Sequence, residues 1–488
     1  MVLESLLLVL PTALVGWWAA TFLFAGAAGR TGGTFEVASR PELVWHIGLY
    51  AFVTTWVTIV LVSVLGCLFL RWTPASPGLY PTRGLRGALL LYRVRKLNQI
   101  QRLWTWTLVG QYLRALAGVR FSRVGASECD LMNNLVPELA GADSRVFWAN
   151  GCATNMLDHG ASYLTLSQLD MPANFFASNN CVAESGQLPT NFLLGVSTPA
   201  NDIRFRRQMR TRLDLPLTVA GNPPVKFGSA DFAAENEAQR PPGFALFLGR
   251  VALNDLFGVG LLPIAEVLAF AIVYSVLLPI FGSPFLSALA ALVAGEGVLV
   301  TAAVLVKRLL VGDTWGWEHS APFWSWRHFT YFFAQDCFFA WCRRPLGLLA
   351  GTVLPNFVLR RMGCRIGRRT LLTAPLQAFD WNAVSLGDDC LVAGLLQLHS
   401  FENMTLQVKR AEIQGGCSVN FGATVMGGAV VEPGTTLLPL SLVLKKMHLP
   451  TAIYEGSPAE PASGARRSLA AASGARPGAA PPGPSGER

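Results

Sequence analysis

Residues 413–443 read IQGGCSVNFGATVMGGAVVEPGTTLLPLSLV, and an aliphatic side chain returns at every sixth position: Ile413, Val419, Val425, Val431, Leu437 and Val443. Four positions after each of the first five stands a small residue: Cys417, Ala423, Ala429, Thr435 and Ser441. Helices repeat near 3.6 residues and strands near 2, so neither produces this spacing. A coiling chain does, when each six-residue rung adds one short strand with its aliphatic residue inside and a small residue at the corner. The reading is a parallel, left-handed β-helix of hexapeptide repeats. Leu386, Val392 and Leu398 continue it upstream, and Ile366-Gly367 opens it.

A fainter copy lies in the first half. Phe175, Cys181, Gln187 and Leu193 take the aliphatic positions, while Asn179, Ser185, Asn191 and Ser197 take the corners. Ser197 precedes Ser441 by 244 residues, and Gly118 precedes Gly363 by 245. The expected fold class is therefore membrane α + β. It is a tandem duplication in which each copy holds a transmembrane helical hairpin, an interfacial helical segment and a left-handed β-helix, the first copy degenerate.

Of the 488 residues, 52% are hydrophobic and 14% charged, against roughly 25% charged in soluble domains. That composition excludes an ordinary soluble protein. Four apolar stretches, 6–24, 43–70, 256–281 and 285–306, approach or exceed the roughly 20 residues that cross a bilayer. The first is preceded by Glu4 and not by a positive leader region, so it reads as a retained span and not a signal peptide. Between Arg71 and Ser127 stand ten basic residues and no acidic one. The positive-inside rule places that segment in the cytoplasm, and Lys307 and Arg308 place the second half there too. The expectation is an integral protein of the plasma (inner) membrane with four spans, both termini and both β-helices cytoplasmic. The net charge of +9 then reports topology. Nucleic-acid binding is excluded, because the basic residues follow the membrane ends and no recognition module accompanies them.

The domain order expected is hairpin 1–75, basic interfacial helices 76–118, degenerate β-helix and linker 119–245, hairpin 250–310, aromatic interfacial helices 315–362, hexapeptide β-helix 363–460 and tail 461–488. Residues 323–341 hold ten aromatics, a density that suits helices at the lipid headgroups, and Arg343 and Arg344 then offer charge to anionic lipid. Residues 98–118, with Trp104 and Trp106, read as a weaker version. Glu266 and Glu296 lie inside spans, where an ionisable group is a functional candidate. A bland alternative is a protonated carboxyl hydrogen-bonded across the hairpin, since no basic residue lies within those spans. Nine cysteines without a Cys-x-x-Cys pair read as reduced, buried thiols.

Several segments carry a family resemblance. The chain resembles the C-terminal membrane module of nonribosomal peptide synthetases of the ε-poly-L-lysine synthetase kind, whose soluble parts are related to hexapeptide acyltransferases. Gly363-Cys364-Arg365-Ile366-Gly367 is similar to that family's Gly-Ala-Arg-Ile-Gly opening, and 397–403, Gln-Leu-His-Ser-Phe-Glu-Asn, to its Gln-Thr-His-Leu-Phe-Glu-Asp segment. Leu440-Ser441-Leu442-Val443 with Lys445, then Glu455-Gly456-Ser457-Pro458-Ala459, resemble its closing coil, and Gly195-Val196-Ser197-Thr198-Pro199 the close of the first copy. Asn403 replaces the expected carboxylate, Met404 an arginine, and Gln414, Asn420 and Met426 the usual glycines. The resemblance implies amide formation from a thioester, with coenzyme A or phosphopantetheine on a carrier protein as co-substrate and no tightly bound cofactor. The partners implied are membrane lipid and a peptide synthetase, and Gln397 and Asn403 line the substrate. No adenylation, carrier-serine or condensation motif occurs in the sequence.

Acyl transfer to an amine needs a base near neutral pH, and histidine fits. His399 stands where the rhythm breaks between Leu398 and Ile413, a place for a loop to leave the coil, and Glu402 is the expected orienter of its ring. The competing reading is a loop histidine bonded to backbone. His159, after Asp158, reads as structural; His319 and His328 belong to the aromatic stretch, His46 to a span, and His448 lies beyond the ladder. A single histidine in the better coil excludes a zinc site of the three-histidine kind, so no metal is expected. Two functions remain open: a membrane-bound acyl or aminoacyl transferase, or a non-catalytic scaffold docking a carrier protein or synthetase.

Overall fold

A computed structural model describes residues 41–104, 107–122, 128–129, 133–198 with short gaps, 217–220, 225–227, 243–312, 318–402 and 405–462. The chain divides into two compact units. The first comprises Met1–Trp315, His319–Leu348 and Ser400–Gln407; the second comprises Gly316–Glu318, Leu349–His399 and Val408–Arg488. The division does not run between the two sequence copies, because the helices of the second hairpin pack with those of the first half.

In the first unit, α1 (Pro41–Trp72), α2 (Leu85–Leu103) and α3 (Leu108–Ala117) are followed by α4 (Phe244–Arg250), which runs into a π-helical segment, Val251–Leu261. Then come α5 (Leu262–Phe281), α6 (Pro284–Leu310) and α7 (Trp326–Leu348). Two helical stretches are long and apolar enough to cross a membrane, Ile264–Phe281 and Phe285–Leu310, and α1 adds a shorter apolar run, Trp56–Trp72. The expected span at 6–24 lies outside the described residues. α1 packs against α2, α3 and α5, and α7 against α6 and the π-helical turn.

Packing shows where several of these aromatic and basic side chains lie. Trp104 is buried, donates from Nε1 to Ser63 Oγ at 2.9 Å and meets Trp56 edge-on, so it fastens the helical segment to α1. In 323–341, Phe323, Phe329, Tyr331, Phe338 and Trp341 are also buried, with the His328 ring tilted against both Phe323 and Phe332. An aromatic-rich helix can bury rings against its neighbours, and this segment buries half of its ten, with Trp326 and Phe339 exposed. Among the ten basic residues of the acid-free segment, Arg93, Lys96 and Arg114 are buried. Arg93 donates to Leu70 O, Thr73 Oγ1 and both carboxylate oxygens of Glu138, at 2.6–2.9 Å. It is an internal fastening between helix and coil. Arg93→Ala strands Glu138 without its cation and is expected to cost ~3–5 kcal/mol; urea unfolding in detergent measures it.

Both halves contain the same strand rotation. In the second unit α8 (Pro355–Met362) ends at Gly363, whose φ of +113° suits glycine. The chain then visits three parallel sheets in turn. One runs 365–366, 384–386, 411–413, 430–431, 448–449; the second 371–372, 391–392, 418–419, 436–437, 453–455; the third 395–397, 424–426, 442–443. Successive ladder residues fall on successive sheets, so those eighteen residues apart pair directly: Ile413 with Val431, Val419 with Leu437, Val425 with Val443. All six are no more than 2% exposed, and so are the five small corner residues. Each buried aliphatic contributes ~1.5–3 kcal/mol.

The ladder also departs from its expected ends. The third-sheet partner of Val425 is Leu396 and not Leu398. The corner before it is shorter because Gly394 lies against the next coil, where a Cβ would stand 2.4 Å from Ala423 O. Downstream the stack continues past Val443, with Leu449 on Val431 and Tyr454 on Leu437, so His448 lies within it. The first unit's strands 120–121, 128–129, 140–142, 147–148, 153–154, 169–171, 176–177, 182–183, 186–187 and 192–194 likewise rotate through three parallel sheets. They are interrupted by a hairpin, Leu157–His159 with Tyr163–Leu166. Ser185, Asn191 and Ser197 lie outside the described residues.

Candidate functional site

The rhythm break after Leu398 does send the chain out of the stack, as strands His399–Glu402 and Thr405–Lys409. His399 sits at the point of departure, its side chain 12% exposed, next to an Asp380 side chain of zero exposure. Asp380 precedes the short 3-10 turn Trp381–Ala383. Its Oδ2 accepts the backbone N–H groups of Leu398 and His399, each at 3.1 Å, and both carboxylate oxygens lie 2.9 Å from His399 Nδ1. The carboxylate accepts only, so the ring proton resides on Nδ1 and Nε2 presents its lone pair. Gln397 Nε2 lies 3.1 Å from that nitrogen and donates to His399 O at 3.0 Å, which fixes its amide orientation. Phe379 leans on the ring, centroids 5.4 Å apart.

The expected pair of His399 and Gln397 therefore comes together, and the carboxylate on Nδ1 is that of Asp380, a residue the sequence reading does not single out. Glu402 belongs to the outgoing strand, and its side chain, like Asn403 and Met404, lies outside the described residues. Asp380 and His399 are nineteen positions apart, close to the eighteen of one full coil. In a coiling chain the spatial neighbours of a residue lie one turn away, not three or four positions along. That spacing was the available signal, and Phe379-Asp380-Trp381-Asn382 the segment to inspect. His159, by contrast, is exposed in its hairpin, and among the described residues no carboxylate is hydrogen-bonded to it.

A buried carboxylate on one imidazole nitrogen and a neutral amide on the other form a base held in one tautomer. Such a dyad can take a proton from an amine or hydroxyl and return it to a leaving group. The chain is 25% identical over 406 residues to delta-poly-L-ornithine synthetase of Acinetobacter baumannii (strain AB307-0294). That match spans 76% of this chain and 28% of the synthetase. The similarity is to a peptide-forming enzyme, and it is consistent with a role in peptide or amide bond formation. No family model matches the sequence.

Two further acidic groupings lie in the first unit. Glu266 and Glu296 do have a basic neighbour, supplied from α7 and not from within the spans: Arg344 Nη1 lies 3.8 Å from Glu266 Oε2 and 3.5 Å from Glu296 Oε1. Asp255 in the π-helical turn accepts the N–H groups of Leu108 and Val109, at 3.0 Å each, and so caps α3. Asp336 on α7 faces Gly258 of the same turn, where a Cβ would stand 2.9 Å from its Oδ2. Burial, with the charge of Asp255, pushes the Asp336 carboxyl up to about 7. An acid whose folded pKa is raised holds a proton that the unfolded chain releases near the ordinary aspartate value of 3.8. Stability from this group is therefore full below pH 4 and is lost as pH rises toward 7, at up to ~1.4 kcal/mol per pH unit. Asp336→Asn is expected to remove that slope, so that the variant gains on the wild type between pH 4 and 7 in thermal unfolding. A constant difference across the range would refute the assignment.

Proposed function

We propose that this chain is a membrane-bound acyl or aminoacyl transferase that forms an amide from a thioester and an amine, with His399 as general base. The observation that carries the reading is the Asp380–His399 dyad with Nε2 turned away from the carboxylate. In the reaction, the acceptor amine displaces the Gln397 amide and its nitrogen attacks the thioester carbonyl carbon. Nε2 takes the amine proton as the C–N bond forms; Asp380 balances the imidazolium. Collapse of the tetrahedral species breaks the C–S bond, and the proton passes from Nε2 to the departing thiolate.

In the same proposal the two three-sheet stacks are left-handed hexapeptide β-helices produced by duplication. The chain has four spans, with both stacks cytoplasmic, and its thioester is carried by coenzyme A or by the phosphopantetheine of a carrier protein. The name of the similar synthetase makes a diamino acid or its polymer the first acceptor to test. Purified protein in detergent, given acetyl-coenzyme A or carrier-bound aminoacyl thioester together with ornithine or lysine, is expected to release thiol in step with amide. Thioester binding without thiol release under any pairing would refute the enzyme reading and favour a docking scaffold.

A further inference from the structure

Two cysteine pairs occupy the same place in the two stacks. Cys152 and Cys181 immediately precede the paired residues Ala153 and Val182; Cys390 and Cys417 immediately precede the paired Leu391 and Ser418. In each, the N–H after the first cysteine donates to the carbonyl of the second, Ala153 to Cys181 O at 2.9 Å and Leu391 to Cys417 O at 3.0 Å. In each, the first thiol lies against the carbonyl three residues before the second cysteine: Ser178 O at 2.8 Å, Gln414 O at 3.1 Å. Cys152 and Cys181 stand with their sulfurs 3.3 Å apart. All four thiols are free and no more than 2% exposed. Adjacent parallel strands run ~4.8 Å apart, inside the Cα separation of roughly 4.4–6.8 Å that a disulfide spans.

We propose that each stack carries a reversible dithiol–disulfide site, Cys152–Cys181 in the first and Cys390–Cys417 in the second, oxidised by small peroxides. One thiolate attacks a peroxide oxygen: an S–O bond forms, the O–O bond breaks, and hydroxide leaves to become water. The partner sulfur then attacks the resulting sulfenic sulfur, the S–S bond forms, and the S–O bond breaks with loss of a second water. Two thiols and one hydrogen peroxide thus give one disulfide and two waters. The burial of all four sulfurs selects a small oxidant and excludes bulky disulfides. In the second pair the S–H of Cys417 holds Cys390 down at about 7, helped by the N–H groups of Cys417, Gly416 and Gly387 and opposed by burial. Burial holds Cys181 well above the ordinary thiol range. The second pair is accordingly the first to react.

The test treats the full chain in detergent with hydrogen peroxide, blocks remaining thiols after unfolding and maps peptides. Cross-linked peptides joining Cys152 to Cys181 and Cys390 to Cys417 are expected, the latter appearing first, with Cys67 still blocked as a thiol and both links reversed by dithiothreitol. Cys417→Ser should abolish only the second link and Cys181→Ser only the first, so misfolding of one variant leaves the other pair informative. Four intact thiols, irreversible oxidation without cross-links, or links scrambled among other cysteines would each overturn the proposal.

Discussion

Replacing His399 with alanine is expected to lower amide-forming turnover by ~10²–10⁴-fold, the range over which a positioned general base acts. The expectation rests on geometry. Nδ1 is committed to Asp380 at 2.9 Å, so the ring offers one nitrogen, Nε2, and that nitrogen faces a side chain, Gln397, which an incoming amine can displace. The substitution should leave the stack standing, because the bonds from Asp380 to the backbone of Leu398 and His399 do not involve the ring. Thermal unfolding close to that of wild type, together with lost turnover, is therefore the expected combination. Turnover equal to wild type would sink the mechanism, whatever the fold does.

The second large effect belongs to Asp380, and two substitutions separate its roles. Asp380→Asn keeps an oxygen for the Leu398 and His399 N–H groups but turns an amide N–H toward Nδ1. The ring must then place its proton on Nε2, where it is no longer a base. Turnover should fall by ~10²–10⁴-fold, as for loss of the base itself, with the fold retained. Asp380→Ala also leaves two buried N–H groups without an acceptor, at ~1–3 kcal/mol each, so it should lose stability as well as activity. Equal turnover in wild type and the Asn variant would show that the carboxylate serves only the backbone.

Legibility from sequence followed the range of the interaction. The ladder from Ile413 to Val443 could be read because burial imposes a period on the chain itself, and each of its six positions is buried. The rhythm break at His399 was legible for the same reason. Asp380 is not legible beside His399, because the carboxylate on Nδ1 lies nineteen positions back along the chain. The third-sheet register differs by two residues from the six-residue count, Leu396 in place of Leu398, because the corner at Gly394 shortens a rung without altering composition. The basic segment is legible as a topology signal, but that Arg93 is buried on Glu138, and that the exposed Arg344 lies within 4 Å of two glutamates, is not.

The sequence by itself determined what repeats: aliphatic and small residues at a spacing of six, and apolar runs of bilayer length in α5 and α6. Both are written locally, since solvent or lipid acts on every residue of the pattern at once. Only the tertiary structure decided which carboxylate holds His399, which cation meets Glu266 and Glu296, and which cysteines stand sulfur to sulfur. Each of those contacts joins residues nineteen or more positions apart, and only the coil and the helix packing bring them within bonding distance.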